Sequence, residues 1–284
     1  MRRFFDRFLP SALKSDRPVV PVIRLQGAIA AGGGQMRPNL SLAATAQVID
    51  KAFAFKDAPA VALLINSPGG SAVQSRLIYR RIRDLAQEKK KHVIAFVEDA
   101  AASGGYMIAC AADEIVADPS SIVGSIGVVY QSFGVQDLIA RIGIESRVHA
   151  AGKNKVMLSP FQPEREQDVA HLLAMQEEIH RVFIDLVKER RGARLTDHPD
   201  LFTGLFWTGL RARELGLVDA VGDMRSFLKA RFGDKATVRL INPARGLFGR
   251  RLALPGIAAS LASAAAEGAA AAIEERALWS LFGL

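Results

Sequence analysis

The chain has 284 residues, of which 50% are hydrophobic, so it is long enough to bury a large core and too apolar to be disordered. Its formal net charge of +8 would suit nucleic acid, but the basic residues are scattered and are not interleaved with aromatic residues. Nucleic acid is therefore excluded as the expected partner. The single cysteine, Cys110, excludes an internal disulfide, and its apolar neighbours predict a buried position.

The start of the chain combines aromatic and basic side chains and is too charged for a signal peptide. The sequence contains no run of about 18 apolar residues, so no transmembrane helix is predicted. Two interpretations of residues 1–10 are open: an amphipathic segment that lies on a membrane surface, and a ragged tail. The sequence therefore predicts a protein that is cytoplasmic or peripheral to the inner membrane.

Strands and helices alternate from residue 19 onward with short connections, a pattern typical of α/β folds. The first half predicts a strand, a helix, a strand, a long helix and a strand at residues 19–25, 41–55, 60–65, 71–89 and 92–97. The last two strands are almost continuously apolar, as parallel strands covered on both faces are. The Gly-rich loop after the first strand lacks the strand–loop–helix setting of a dinucleotide site. No cofactor and no metal are predicted.

The second half predicts shorter elements and one long helix. They are strands within 114–117, 122–129 and 145–149, a brief helix at 136–142, the long helix at 163–191, helices at 209–217 and 224–232, and a closing strand at 236–241. The long helix has acidic residues early and basic residues late, which complements the helix dipole. After residue 242 the sequence becomes Ala-rich, which favours helix.

Ser103 lies in a turn of small residues between the strand at 92–97 and the next helix. Such a turn exposes the hydroxyl and leaves the backbone N–H of Gly104 free at a helix N-terminus, which suits a serine nucleophile beside an oxyanion donor. A second turn, Asn66-Ser-Pro-Gly-Gly70, ends the strand at 60–65 and offers the N–H of Gly70 as a second donor. Either turn alone is also a common tight connection between a strand and a helix.

A serine nucleophile needs a base, and the local sequence leaves two candidates. Among the histidines, His92, His171 and His180 are predicted to be surface or edge residues, and His149 alone lies beside a loop. The other candidate is Lys155, which follows a Gly-containing loop and precedes an apolar run. A lysine serves as a base only where burial keeps its amine neutral. The local sequence does not choose between His149 and Lys155.

Five motifs in collinear order give the chain a specific resemblance. They are Asn66-Ser-Pro-Gly-Gly70, Ala102-Ser-Gly-Gly-Tyr106, Gly124-Ser-Ile-Gly-Val128, Gly152-Lys-Asn-Lys155 and Ala212-Arg-Glu-Leu-Gly-Leu-Val-Asp219. From about residue 19 to residue 241 the chain resembles the signal peptide peptidase A family, in its short single-repeat form. Members of this family are Ser–Lys endopeptidases of the Clp/crotonase-like superfamily. The resemblance implies that Ser103 is the nucleophile, that Lys155 is the general base, and that Ser125 orients the lysine amine.

The resemblance also implies the fold and the substrates. It implies a Clp/crotonase-like α/β fold of repeated β-β-α units and a homo-oligomer. The implied activity is hydrolysis of peptide bonds in cleaved signal peptides or other apolar peptides and membrane-associated proteins. The expected division is a basic amphipathic segment at 1–17, a peptidase domain at 18–241 and an Ala-rich helical extension at 242–284. Many members of the family carry an N-terminal transmembrane anchor, and this sequence shows only its short basic-aromatic start.

Three other classes of protein are weighed against this prediction. An acyl-CoA enzyme of the crotonase class would share the fold and the oxyanion turn but would act through placed carboxylates. A Clp-type Ser–His–Asp protease would need a histidine soon after the serine helix, and none occurs between Ser103 and His149. A non-catalytic scaffold that organises a membrane complex would tolerate Ser103→Ala.

Overall fold

In the computed structural model, which describes residues 17–34, 37–242 and 275–284, strands and helices alternate along most of the chain. The strands are β1 (Val19–Gln26), β2 (Gly33–Gly34), β3 (Arg37–Pro38), β4 (Val61–Ser67), β5 (Val93–Ala102), β6 (Glu114–Ala117), β7 (Ile122–Gly124), β8 (Phe206–Thr208), β9 (Ala220–Val221) and β10 (Thr237–Leu240). The helices are α1 (Leu42–Phe53), α2 (Ala72–Lys89), α3 (Gly104–Ala109), α4 (Gln136–Arg141), α5 (Glu166–Arg191), α6 (Gly209–Glu214) and α7 (Met224–Phe232), and residues 275–280 are also helical. The predicted α/β class is confirmed. Residues 1–16 of the predicted basic segment at 1–17 and residues 243–274 of the predicted Ala-rich extension at 242–284 lie outside the described residues.

One mostly parallel sheet organises these elements. Its strands lie in the order β10-β1-β4-β5-β6-β9, and β7 pairs with both β5 and β8. All the pairings along the main path are parallel, and the β7–β8 pairing is antiparallel. The carboxyl ends of β4 and β5 therefore lie at the same edge of the sheet. Active sites of open α/β sheets form at this edge.

Helices cover both faces of the sheet, which explains the continuous apolar strands. Alternate residues of β1 point to opposite faces: Ile23 belongs to the larger buried cluster, and Val22 belongs to the smaller one. The smaller cluster is closed by α7, where the ring of Phe227 packs edge-on against Phe96 at 5.6 Å. Within the described ranges, no helix combines the length and the apolarity needed to cross a membrane.

Strand β5 is longer than the sequence predicts. Its first half pairs with β6, and its second half, Ala100–Ala102, pairs with β7. Between Ile65 and Ser67 the register of β4 against β5 shifts, so the end of β4 lies beside the extended part of β5. Three consecutive alanines carry little strand propensity. They are extended here because β7 supplies their hydrogen-bond partners, which brings Ser103 to the edge of the sheet beside the end of β4.

A buried ion pair fixes the carboxyl end of α5. Arg191 is 2% exposed and donates to both oxygens of Asp219, at 2.8 and 3.0 Å. Burial alone would raise the pKa of Asp219, but hydrogen bonds from Arg191 and from the backbone N–H of Ile115 outweigh it and lower that pKa. Nearby, Cys110 is fully buried, as predicted, and burial raises the pKa of its thiol to about 12. This end of α5 is therefore anchored in the core.

The segment from 129 to 165 differs from the prediction. The predicted strand at 122–129 ends at Gly124, and the predicted strand at 145–149 is wrong, since these residues lie in no strand. The side chains of residues 145–149 are all exposed, and these residues pair with no strand of the described chain. The segment exposes many large apolar side chains: Val129, Tyr130, Phe133, Leu138, Ile142, Ile144, Val148 and Phe161.

Candidate active site

Ser103 occupies a strained turn at the carboxyl end of β5. Its φ of 50° and ψ of −120° lie outside the regions that side-chain-bearing residues prefer, at a cost of about 1–3 kcal/mol. The surrounding structure holds it there: its N–H donates to the carbonyl of Gly124 at 2.8 Å, and its carbonyl accepts from Met107 at 3.0 Å. Because α3 begins at Gly104, the N–H of that residue has no acceptor within its own helix. The predicted serine turn is present.

The two glycines that end the Asn66–Gly70 motif make close contacts: Gly69 lies directly against this turn, and Gly70 lies against Ile29. A Cβ atom added at Gly69 would lie 2.8 Å from Cβ of Ser103 and 3.0 Å from the nitrogen of Gly104. Gly70 has a φ of 135°, and a Cβ there would overlap the carbonyl oxygen of Ile29. Only glycine fits at these positions, and the backbone of Gly70 reaches the rim of the same cavity as Ser103.

Two side chains of the same motif hold this turn in place, a role that the sequence analysis did not assign. Asn66 donates to Asp99 at 2.6 Å and accepts from the N–H of Ala100 at 3.2 Å, so it joins β4 to β5 at the register shift. Ser67 donates to the carbonyl of Gly27 at 2.7 Å and accepts from Gly69 at 3.3 Å. The sequence signal for this role is the position of Asn66 and Ser67 at the end of a strand, directly before Pro-Gly-Gly.

A cavity of about 830 Å³ opens over the serine turn. Its lining is largely apolar, with Ile29, Met107, Val128 and Phe183 among its walls. Ser103 is half-buried at this wall. A serine hydroxyl and two glycine-containing turns therefore border a cavity large enough for several peptide residues.

Four of the five predicted site residues come together here. Ser103, Gly70, Gly104 and Ser125 all line the cavity. Lys155 does not: it is exposed within the 129–165 segment, and its N–H donates to the carbonyl of Gly152 at 3.1 Å. Its role as the base stays a prediction. The other candidate base, His149, is exposed in the same segment.

His180 also lines the cavity, although the sequence analysis predicted a surface or edge residue. It is half-buried on α5, one turn before Phe183 and two turns before Val187, both of which are buried in the core. This spacing of i, i+3 and i+7 places the three side chains on one face of the helix. The same periodicity in the sequence could have indicated that His180 faces inward.

The end of the chain reaches into the same cavity. Leu278, Leu281 and Phe282 are among its lining residues, and the ring of Phe282 packs edge-on against Phe206 with centroids 5.0 Å apart. Glu275 lies beside Gly27: a Cβ atom added at Gly27 would lie 3.1 Å from a carboxylate oxygen of Glu275. These apolar side chains take up space that an apolar peptide would need.

Removing residues 275–284 is therefore expected to lower KM for apolar peptides severalfold and to leave kcat nearly unchanged, because it empties the cavity without touching Ser103. Steady-state kinetics of the truncated chain measures this. Phe282→Ala should shift KM in the same direction, whereas Leu284→Ala, which changes a residue outside the cavity lining, should not. Equal KM values for the full and truncated chains would contradict the expectation.

A strained serine beside two glycine turns, at the carboxyl edge of a parallel sheet, defines the class of α/β serine hydrolases. The family model "Peptidase family S49" matches residues 85–236, which include Ser103, Gly104, Ser125 and Lys155. The chain belongs to peptidase family S49.

Three proteins with similarity to this chain are the following. A Brucella abortus protein named "Na(+)/H(+) antiporter NhaA" is 58% identical over 98% of this chain but only 39% of its own length. The "Putative protease MJ0651" of Methanocaldococcus jannaschii is 38% identical over 60% of this chain and 54% of its own. A mutant of the "1510-N membrane-bound stomatin-specific protease" in complex with a substrate peptide has a TM-score of 0.45 at 17% identity, over 81% of this chain and 94% of its own. The chain thus spans about two fifths of the length of the first of these relatives.

Proposed function

We propose that the chain is a serine endopeptidase that uses a Ser103–Lys155 dyad to cleave apolar peptides, such as remnants of signal sequences. The observation that supports this best is the contact between two turns: Gly69 lies against Ser103 and Gly104 at the rim of an apolar cavity. The antiporter name of the longer relative is not carried over, because the family model that matches this chain is that of a peptidase.

The proposed reaction is acyl transfer in two steps. The neutral amine of Lys155 takes the proton of Ser103, whose oxygen attacks the carbonyl carbon of the scissile bond. The N–H groups of Gly70 and Gly104 stabilise the oxyanion, and the lysine then gives its proton to the leaving amine. Water hydrolyses the resulting ester and restores the serine. Ser125 has the role of orienting the lysine amine.

Lys155 can act in this way only after burial, because an exposed lysine is charged and holds its proton. In the single chain Lys155 is exposed, and so are eight large apolar side chains of the same 129–165 segment. An exposed apolar surface of this kind is typical of a protein–protein contact. We therefore propose a homo-oligomer in which neighbouring copies cover this segment and desolvate the lysine.

The substrate class follows from the cavity and from the family resemblance. Apolar walls favour apolar side chains, and peptides left from signal sequences or from membrane-associated proteins carry them. The proposal includes peripheral contact of residues 1–10 with a membrane surface, which would place the enzyme near such substrates. No cofactor takes part in the proposed reaction.

Replacing Lys155 tests the dyad. We expect Lys155→Ala to lower kcat on an unstructured, fluorogenic apolar peptide by about 10³-fold, because the nucleophile loses its base. Lys153→Ala, two residues away in the same exposed loop, should stay within about twofold of wild type, as should His149→Ala.

Three results would contradict parts of this proposal. If Lys155→Ala keeps its activity and His149→Ala loses it, the base is the histidine and the peptidase assignment survives. If the wild-type chain cleaves no peptide and binds acyl-CoA instead, the peptidase function itself is wrong. A wild-type enzyme that remains a monomer by size-exclusion chromatography and light scattering, yet is fully active, would overturn the role of assembly.

A further inference from the structure

His180 makes one hydrogen bond that the proposed reaction does not use. Its Nε2 lies 2.9 Å from the carbonyl oxygen of Ile126. A carbonyl oxygen only accepts, so Nε2 carries the hydrogen and donates it. Ile126 itself is fully buried, and a buried carbonyl that loses its donor costs about 1–3 kcal/mol. The contact joins the middle of α5 to the wall of the cavity.

The bonded residue belongs to the turn that carries Ser125. This turn is held from three sides: Gly124 accepts from the N–H of Ser103 at 2.8 Å, Ser125 donates to the carbonyl of Leu205 at 2.8 Å, and Ile126 accepts from His180. The φ of Ser125 is 53°, in the left-handed region that residues with side chains avoid. A turn in this conformation persists only where its surroundings fix it, so each of the three bonds matters.

The helix that carries His180 is itself rigidly placed. Phe183, one turn after His180, is buried in the core, and the end of α5 is fixed by the ion pair between Arg191 and Asp219. His180 therefore sets a constant distance between α5 and the Ser125 turn. The Ser125 turn also contacts the nucleophile, because the carbonyl of Gly124 accepts from the N–H of Ser103.

We propose that His180 is a positioning residue: its Nε2–H holds the Ser125 turn in its left-handed conformation against Ser103. This assignment rests on the proposed function, in which Ser125 orients the base. In this scheme Lys155 is the base, and His180 acts only through the hydrogen bond that its Nε2–H donates to the carbonyl of Ile126. Its effect reaches the reaction through the turn and not through contact with the substrate.

The test compares two replacements of His180 with a control on the same helix. Leucine fills the space without a donor, whereas glutamine places an amide N–H at a similar distance from the backbone. His171→Leu is the control, because His171 is exposed on the same helix. For each variant, kcat and KM are measured on the fluorogenic apolar peptide, together with the labelling rate of Ser103 by a fluorophosphonate probe and the melting temperature.

We expect His180→Leu to lower kcat about tenfold with KM within about twofold, because a displaced turn spoils the alignment of catalytic groups without emptying the cavity. His180→Gln should recover most of kcat, because its amide N–H again donates to the carbonyl of Ile126. His171→Leu should match wild type in every measurement. Rescue by an N–H donor separates positioning from simple packing, since packing favours leucine at a half-buried site.

Two patterns would overturn the assignment of His180 while leaving the peptidase function intact. One is a His180→Leu variant with wild-type kcat; the other is a glutamine variant no more active than the leucine variant. A wild-type chain that neither cleaves peptide nor reacts with the fluorophosphonate would instead overturn the proposed function, and the role of His180 with it.

Discussion

Ser103→Ala is expected to abolish peptide hydrolysis, with a loss of about 10³-fold or more in kcat, because the nucleophilic oxygen is removed. The fold should be unaffected: the serine side chain caps no helix, and alanine keeps the Cβ atom that lies against Gly69. Hydrolysis of an unstructured apolar peptide, with a melting curve of each protein, measures both effects. Residual hydrolysis above about one per cent of wild type would argue for a different nucleophile.

The backbone of the same residue provides a matched control. Glycine adopts a φ of 50° and a ψ of −120° more readily than alanine, so Ser103→Gly should be equally inactive but more stable than Ser103→Ala, by about 1 kcal/mol. Unfolding in urea measures the difference in the free energy of unfolding. If Ser103→Gly is no more stable than Ser103→Ala, the turn carries no strain.

Gly70→Ala is expected to lower both stability and activity, because its Cβ would overlap the carbonyl oxygen of Ile29 and its φ of 135° disfavours any side chain. We expect a loss of about 2–4 kcal/mol in the free energy of unfolding. Displacing the turn also moves an oxyanion donor, so kcat should fall by about 10²-fold in whatever fraction stays folded. Urea unfolding and active-site titration with a fluorophosphonate separate the two effects.

Gly32→Ala is the control for this experiment. Its φ of 92° is similarly unfavourable for alanine, but a Cβ atom there would meet nothing within 4 Å. Gly32→Ala should lower the free energy of unfolding by about 1–2 kcal/mol, which is the conformational penalty alone, and should leave kcat unchanged. If Gly70→Ala costs no more than Gly32→Ala, the close approach of Gly70 to Ile29 is not the constraint that the structure indicates.

The positions of the Ser103 turn and of the glycine turn beside it could be predicted because their signals are local. Ser103 and Gly104 come after the apolar strand β5, Gly70 comes in the turn after the apolar strand β4, and parallel strands end at one edge of the sheet. Most predicted helices and strands are present for the same reason, since apolar periodicity and capping residues such as Ser41 are read from neighbouring positions.

The features that the sequence did not reveal depend on distant partners. The extension of β5 through Ala102 requires β7, about twenty residues later in the chain, and alanine itself gives no strand signal. The predicted strand at residues 145–149 finds no pairing partner among the described strands. The inward position of His180 depends on how α5 lies across the sheet. Its charged neighbours on the helix predicted an exposed position instead.

The pairing of β1 with β10 separates the two ends of the described domain. The strands are parallel, with Val19 beside Thr237 and Val22 beside Leu240, so the chain enters β1 at the amino edge of the sheet and leaves β10 at the carboxyl edge. The serine turn is also at the carboxyl edge. A protein or a solid support attached before residue 17 would thus be held on the side of the sheet opposite Ser103. The same attachment after residue 242 would lie at the edge of the sheet that carries Ser103.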